Sequence, residues 1–397
     1  MRIAIIATYP PRQCGIATFT HDFYRTLPAD ESSHGIIALS DGSEGSFPPE
    51  VCLTIHRNER LDYIEAAEYI NTHFDVCVLQ HEYGIFGGEA GDYILDTLSR
   101  LTIPTISNLH TVLQHPSSKE HEVLKRICAQ SKGVTVMTDT AIQLLQRVFE
   151  VPAAKIQLIP HGVPNFDYNQ LEAKKQLGFT DRKVMLTFGF LGRNKGIETA
   201  IEAVAKVQDP SLLYVVLGTT HPNVLREQGE TYRELLEEQI TASGLTDRVQ
   251  LLNTFASEEL LVTYLTACDI YVTPYPHENQ ISSGTLSFAI GAGAAVISTP
   301  YWYAKDLLAN DRGLLFDFHD AFGLAEHINY LLDDPLALAK YRRNAASYGR
   351  LTSWNNVSKS YYDYLKQISV SMPTIELHKE SKKVANLFLA DRNRLSS

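Results

Sequence analysis

The chain has 397 residues, and at about 150 residues per domain that length points to two or three domains rather than one small module. Apolar residues make up 44% and charged residues 20%, which excludes a mostly disordered polymer or a fibre. Lys and Arg total 35 against 46 Asp and Glu, a formal charge of −11, so a protein held to nucleic acid chiefly by phosphate neutralisation is excluded too, while a local basic site is not.

The first element in chain order is the apolar run Ile3-Ala4-Ile5-Ile6-Ala7, broken at Tyr9-Pro10-Pro11. It is too short for a signal-peptide core or a membrane span, so the expected location is cytoplasmic. Further β-branched runs follow at 34–39, 76–80, 105–109, 133–137 and 156–160, with helical stretches between them. Leu61, Ile64, Ala67 and Ile70 fall at helical spacing, and Ser117-Ser118 opens a stretch that runs to Cys128. Such alternation predicts a parallel sheet wrapped by helices. The pattern lapses across 165–182, which predicts an interdomain crossing, and then restarts. Strands are predicted at 184–191, 213–217, 249–252, 270–273, 295–298 and 313–316, and helices at 197–207, 232–242, 257–267 and 285–291. From Pro335 the chain reads as helical, with Trp354, Val357, Tyr361, Tyr362 and Leu365 on one face, and beyond Ser371 comes a polar tail with an amphipathic piece at Val384-Leu387-Phe388-Leu389. Five scattered cysteines form no C-x-x-C pair, so neither a disulfide framework nor a zinc site is expected.

In open α/β sheets, ligands bind beyond the carboxyl ends of the strands, where helix N-termini offer free N–H groups. Three loops at such places carry chemistry. The first, after the first strand, holds Cys14-Gly15-Ile16; a glycine there lets backbone approach an anion, or merely makes a turn. It is not a G-x-G-x-x-G fingerprint. The second, Gly192-Arg193-Asn194-Lys195-Gly196, sets a guanidinium and an ammonium between glycines where a helix begins. Arg grips phosphate oxygens in pairs, Lys adds a point charge, and the helix dipole has the same sign. The third runs from Glu278 through Asn279, Gln280, Ile281, Ser282, Ser283 and Gly284 to Thr285. Amides and carboxylates suit sugar hydroxyls, while the hydroxyls and N–H groups at the helix start suit phosphate. His110 ends a strand facing the cleft, as a structural hydrogen-bonder or a catalytic group. His81-Glu82 lacks the spacing of a metal motif, so no metal is assigned.

These residues, with Pro160-His161-Gly162-Val163 and Gly293-Ala294-Ala295-Val296-Ile297, resemble the GT-B glycosyltransferases of family 4, the glycosyl transferases group 1. The resemblance covers about residues 1–367. It implies an α/β fold of two facing Rossmann-like domains: an acceptor-side domain at 1–165, a nucleotide-sugar domain at 166–350, a crossover helix at 351–369 returning to the first domain, and a tail at 370–397. It also implies a retaining enzyme that moves a hexose from a nucleotide diphosphate sugar, GDP-mannose or UDP-glucose, to a carbohydrate or lipid-linked acceptor. No further cofactor is implied. Arg193 and Lys195 would hold the diphosphate and stabilise its developing charge. Gly15, Ile16 and Gly192 would present backbone to the phosphates, and His110 would sit at the transferred sugar. Glu278, Gln280, Ser282, Ser283, Gly284 and Thr285 would hold sugar, ribose and phosphate.

The family's third loop carries two glutamates separated by seven residues. Here the position eight after Glu278 is Leu286, and alignment on Gly293 places Gln280 and Phe288 at the two sites, so the second glutamate is missing. An epimerase or phosphorylase of the same shape, or a non-catalytic sugar-nucleotide-binding protein, therefore stays open as an alternative. Peripheral membrane contact is compatible with the sequence, and the oligomeric state is not set by it.

Overall fold

The computed structural model describes residues 1–28 and 34–370; the tail with its Val384-Leu387-Phe388-Leu389 piece lies outside them. The first half contains β1 (Ile3–Ala7), α1 (Gly15–Thr26), β2 (Gly35–Ser40), β3 (Val51–His56), α2 (Arg60–His73), β4 (Val76–His81), α3 (Ile94–Leu98), β5 (Thr105–Leu109), α4 (Ser118–Gln130), β6 (Gly133–Val136), α5 (Asp139–Val148) and β7 (Ile156–Leu158). Its strands form a seven-stranded sheet in the order β3-β2-β1-β4-β5-β6-β7, parallel throughout. A parallel sheet covered on both faces needs apolar residues on both, and all five residues of β1 are buried. Ile3, Ile5 and Ala7 pack with Phe19 and Phe23 of α1. Ala4 and Ile6 face the opposite way, onto Tyr63 and Ala66 of α2.

The second half contains α6 (Gln170–Leu177), β8 (Lys183–Phe188), α7 (Ile197–Val204), β9 (Leu212–Leu217), α8 (Pro222–Gln228), α9 (Thr231–Ala242), β10 (Val249–Leu252), α10 (Glu258–Ala267), β11 (Ile270–Thr273), α11 (Gly284–Gly291), β12 (Ala295–Ser298), α12 (Trp302–Leu308) and β13 (Gly313–Leu315). A parallel six-stranded sheet results, ordered β10-β9-β8-β11-β12-β13. Three helices close the described chain: α13 (Ala321–Asp333), α14 (Pro335–Leu351) and α15 (Trp354–Val370). The last returns to the first sheet, where Tyr361 meets Phe23 of α1 at 5.0 Å. Gly162 makes room for that return, since a Cβ there would lie 2.1 Å from the Trp354 ring.

Two expectations need correction. β3 lies where no strand was predicted: it is an edge strand with only Ile55 fully buried, so its sequence lacks a strong apolar run. The stretch read as a lapse at 165–182 contains α6, a helix of mainly polar residues capped by Asn169 and ended by left-handed Gly178. It is anchored by a buried ion pair. Lys174 Nζ lies 2.6 Å from Asp269 Oδ2, and that oxygen also accepts a 2.7 Å bond from the Val184 N–H. A solitary charge in this place would be costly, and the pair ties α6 to the starts of β8 and β11.

The helix start predicted at Ser117-Ser118 carries a capping box. Ser117 Oγ accepts from Glu120 N at 3.2 Å, and Glu120 Oε2 accepts from Ser117 N at 2.7 Å. Ser117→Ala is expected to lower the unfolding free energy by about 1 kcal/mol, read as a shift of the urea midpoint at unchanged slope. No helix among the described residues is long and apolar enough to cross a membrane.

Candidate active site

In each sheet the strand order reverses direction once, between β1 and β4 in the first and between β8 and β11 in the second. Loops diverge at these switch points and leave a crevice beyond the strand ends. The loops after β8 and β11 hold the two polar clusters singled out in the sequence, and the loop after β1 holds Gly15.

After β8, Arg193-Asn194-Lys195 forms one turn of 3-10 helix and Gly196 leads into α7. Gly196 has φ +60°, and a Cβ there would lie 2.1 Å from the carbonyl oxygen of Pro274. Only glycine allows the two switch-point loops to pack back to back in this way. The two cations rest on aromatic rings. Lys195 Nζ lies 4.4 Å from the centre of Tyr275, and the Arg193 guanidinium lies 5.8 Å from that of Tyr232. Tyr232 is itself fixed by bonds to the Ile197 N–H and to Glu198. Neither cation pairs with a carboxylate among the described residues, so both keep their charge for a ligand. Arg12 differs, being neutralised by Asp41 and Glu44 at 3.1 and 2.9 Å.

After β11, the chain is held to the segment following β12. Glu278 O accepts from Trp302 N at 3.1 Å and Gln280 O from Tyr303 N at 2.9 Å. Ser283 caps α11 through the Leu286 N–H at 3.3 Å, which leaves the peptide N–H groups of Gly284 and Thr285 without a hydrogen bond among the described residues. Thr285 Oγ1 meets Tyr275 OH at 3.1 Å, so the ring beneath Lys195 also touches the start of α11.

The two halves meet at this loop. Ser282 Oγ donates to the His110 carbonyl at 2.8 Å, and Ile281 is buried among Leu109, Val112 and Leu124 of the first half. His161, in the crossing segment, reaches the same place, with Nε2 3.1 Å from where a Cβ on Gly284 would stand. Phe19 of α1 makes edge contacts with His110, His161 and Trp354 at 4.7, 5.1 and 4.9 Å.

His110 is an uncharged ring. Its Nε2 lies 2.9 Å from Gln80 Oε1 and 3.2 Å from the Asn108 side-chain amide nitrogen. Asn108 donates to the same oxygen at 2.8 Å and is itself held by Thr135 at 2.9 Å. Burial, with His161 and His81 nearby, pushes the imidazole down to about 3. His161 is pushed down to about 4, mainly by burial, against the pull of its bond to the Gly162 carbonyl.

The glycosyl transferases group 1 family model matches residues 169–352. A D-inositol 3-phosphate glycosyltransferase of Corynebacterium efficiens is 27% identical over 299 residues, covering 70% of this chain and 68% of that protein. A GDP-mannose:glycolipid 4-beta-D-mannosyltransferase of Xanthomonas campestris is 26% identical over 146 residues, 37% of this chain and 38% of that one. The structure of Anabaena Alr3699/HepE in complex with UDP superposes with a TM-score of 0.74 at 18% identity, covering 92% of this chain and all of that one; the same protein is solved with UDP-glucose. The chain has the GT-B fold, and its residues 169–352 match the group 1 glycosyltransferases.

In this fold the residues singled out from sequence fall into two joined groups and one outlier. His110, Ser282, Ser283 and Gly284 gather where the halves touch, and Gly192, Arg193, Lys195 and Thr285 gather around Tyr275. Gly15 and Ile16 begin α1, and Gly15 has open space where a side chain would stand. Glu278 is the outlier: it is exposed, and its carboxylate has no bond or ion pair among the described residues. Gln280 spends its amide on the Ser282 carbonyl at 2.8 Å. The first two turns of α11 offer no carboxylate: Leu286 and Phe288 stand there, both buried, with Phe288 against Phe188 and His161. Sequence reading missed Tyr232 and Tyr275, which seat the cations. Tyr275 could have been found, standing three residues from Glu278 at a strand end, whereas nothing near Arg193 in the chain points to Tyr232.

Proposed function

We propose that this protein is a glycosyltransferase that moves a hexose, mannose or glucose, from a nucleoside diphosphate to a hydroxyl of a carbohydrate or lipid-linked acceptor with retention at the anomeric carbon. Residues 166–350 are assigned the donor side and 1–165 the acceptor side. The reading rests above all on Arg193 and Lys195, two unpaired cations at the switch point of the second sheet, beside the free N–H groups of Gly284 and Thr285. As the bond from the anomeric carbon to the diphosphate breaks, its electron pair goes to the phosphate oxygens, and the acceptor hydroxyl oxygen takes its place on carbon while its proton passes to the departing diphosphate. Arg193 and Lys195 face the charge that grows on the diphosphate, and such preorganised groups supply the largest share of rate enhancement in many enzymes. Gly15 lets α1 bring its own N–H groups towards the same anion. His110, neutral at physiological pH, offers its ring to the sugar without a formal charge.

The choice of donor is supported in two directions, by the GDP-mannose of the Xanthomonas enzyme's name and by the UDP-glucose bound to HepE. Thermal shifts with UDP, UDP-glucose, GDP and GDP-mannose decide between them, since ligand at 100 times its Kd adds about 2.7 kcal/mol of stability. The preferred donor is then turned over, and the anomeric coupling of the product is read by NMR. A product with inverted linkage would remove retention from the proposal, and the lack of any shift with all four ligands would remove the donor.

A further inference from the structure

The wall that the first half lends to the cleft is charged differently from that of the second. Among the described residues, the Lys and Arg side chains that follow its strand ends are Arg12 after β1, Arg57 and Arg60 after β3, and Lys119 after β5. Each already has a partner. Arg12 is neutralised by Asp41 and Glu44, and Arg60 Nε lies 2.6 Å from Asp96 Oδ2. Lys119 Nζ lies 3.0 Å from Asp92 Oδ2 and 3.6 Å from Glu122 Oε2, and Arg57 Nε donates to the Phe86 carbonyl at 3.2 Å. None of the four is kept for a ligand as Arg193 and Lys195 are.

A carboxylate without a counter-charge stands at the same strand ends. Glu82 continues β4 in extended conformation, with φ −142° and ψ 131°. Its side chain therefore points to the same face as Gln80, the face that bears His110. Glu82 accepts from Thr111 Oγ1 at 2.5 Å and from the Tyr83 N–H at 3.0 Å. Thr111 follows His110, whose carbonyl holds Ser282, so these contacts fix the carboxylate relative to the loop of the second half. Loss of water pushes Glu82 above the usual carboxylate range, against the pull of those two bonds, and no Lys or Arg among the described residues offsets that loss. The side chain is only partly covered and keeps lone pairs for a ligand. Gln80 Nε2, on the same face, is buried without a partner among the described residues. Carboxylates held in this way, dehydrated and without a counter-ion, cluster at functional sites.

We propose that Glu82 restricts the acceptor to an uncharged polyol at the sugar that receives transfer, by binding its hydroxyls and turning away sugars that carry a phosphate or carboxylate; this rests on the reading of residues 1–165 as the acceptor side. A carboxylate accepts from neighbouring hydroxyls through two oxygens, and the Gln80 amide offers a donor beside it. A second anion in this place would face Glu82 with every nearby Lys and Arg already partnered. Like charges brought together at close range are strongly disfavoured. Selection thus comes from repulsion of the wrong acceptor as well as attraction of the right one.

Paired acceptors test this with the donor that the thermal shifts select: glucose against glucose 6-phosphate and glucuronate, and mannose against mannose 6-phosphate. Transfer is followed by mass spectrometry in the wild-type protein, Glu82→Gln and Glu82→Ala, and UDP and GDP affinities are measured by calorimetry on the same proteins. The wild type is expected to favour the neutral member of a pair by about tenfold or more in kcat/KM. Glu82→Gln, which removes the charge and keeps the shape, is expected to narrow that preference to about threefold or less, and Glu82→Ala to raise the KM of the neutral acceptor by about tenfold. The proposal is overturned if the wild type uses the anionic member as well as the neutral one, or if Glu82→Gln keeps the full preference. A loss of nucleotide affinity in Glu82→Gln equal to its loss of acceptor use would also overturn it, by making the residue a general support of the fold. A wild-type protein that binds neither nucleotide overturns the donor reading instead, so the two failures are distinguishable.

Discussion

Replacing Arg193 with alanine is expected to lower kcat/KM for sugar transfer roughly 10²- to 10³-fold, the usual loss when one preorganised partner of a developing anion is removed. The fold should survive. Arg193 is exposed, and its one packing contact is the face of Tyr232 at 5.8 Å, so the stability change should stay within about 1 kcal/mol. Arg193→Lys should recover only part of the rate, because an ammonium cannot bridge two phosphate oxygens as a planar guanidinium does. Steady-state kinetics on the preferred donor, alongside thermal melts, separate the two effects. Wild-type turnover in a folded Arg193→Ala protein would mean that the leaving group is held elsewhere.

Acid should unfold this protein earlier than its carboxylates alone would require. His81, His110 and His161 are buried and uncharged, with imidazoles pushed down to about 3, 3 and 4 mainly by burial. His81 lies wholly inside, between Phe86 and Tyr83, and neither ring nitrogen has a partner among the described residues. An unfolded chain titrates histidine near 6.5. Below that pH the unfolded state binds protons that the folded state refuses, so the stabilisation is complete above about pH 6.5 and drains away as pH falls towards the folded values. Each group removes about 1.4 kcal/mol per pH unit, and the three together roughly 4 kcal/mol per unit. Against a typical total of 5–15 kcal/mol, that predicts cooperative loss of structure by about pH 5. Urea titrations at pH 7.5, 6.5 and 5.5 measure the slope, and His81→Phe should flatten it by about a third. A stability that is level from pH 7.5 to 5.5 would show that these rings charge freely in the fold.

The central strands β1, β11 and β12 were legible because burial on both faces writes them as apolar runs, and they lie at the predicted positions, as do the more polar β5 and the edge strand β10. β3 and α6 escaped because an edge strand and a polar surface helix carry little of that pattern. Helix starts at Ser117, Ser257 and Ser283 were marked by residues whose side chains do cap. In the site, glycine punctuation exposed the cation loop, whose conformation needs Gly196. What stayed hidden depends on contacts between distant parts of the chain: Tyr232 beneath Arg193, Gln80 beside the ring of His110, His161 poised over Gly284. Phe86 is buried beside His81, where the turn after β4 folds it inward. The exposure of Glu278 was equally invisible, since backbone bonds to Trp302 and Tyr303 decide how its loop lies.

Ile281 and Ser282 give the cleft a mechanical asymmetry. The segment that leads into α11 belongs by sequence to one lobe and by packing to the other. Spreading the lobes would extract Ile281 from its apolar seat, at roughly 1.5–3 kcal/mol, in addition to breaking the tether to the His110 carbonyl. Any opening of the cleft therefore has these two contacts to break at the same point, the loop that carries the polar cluster.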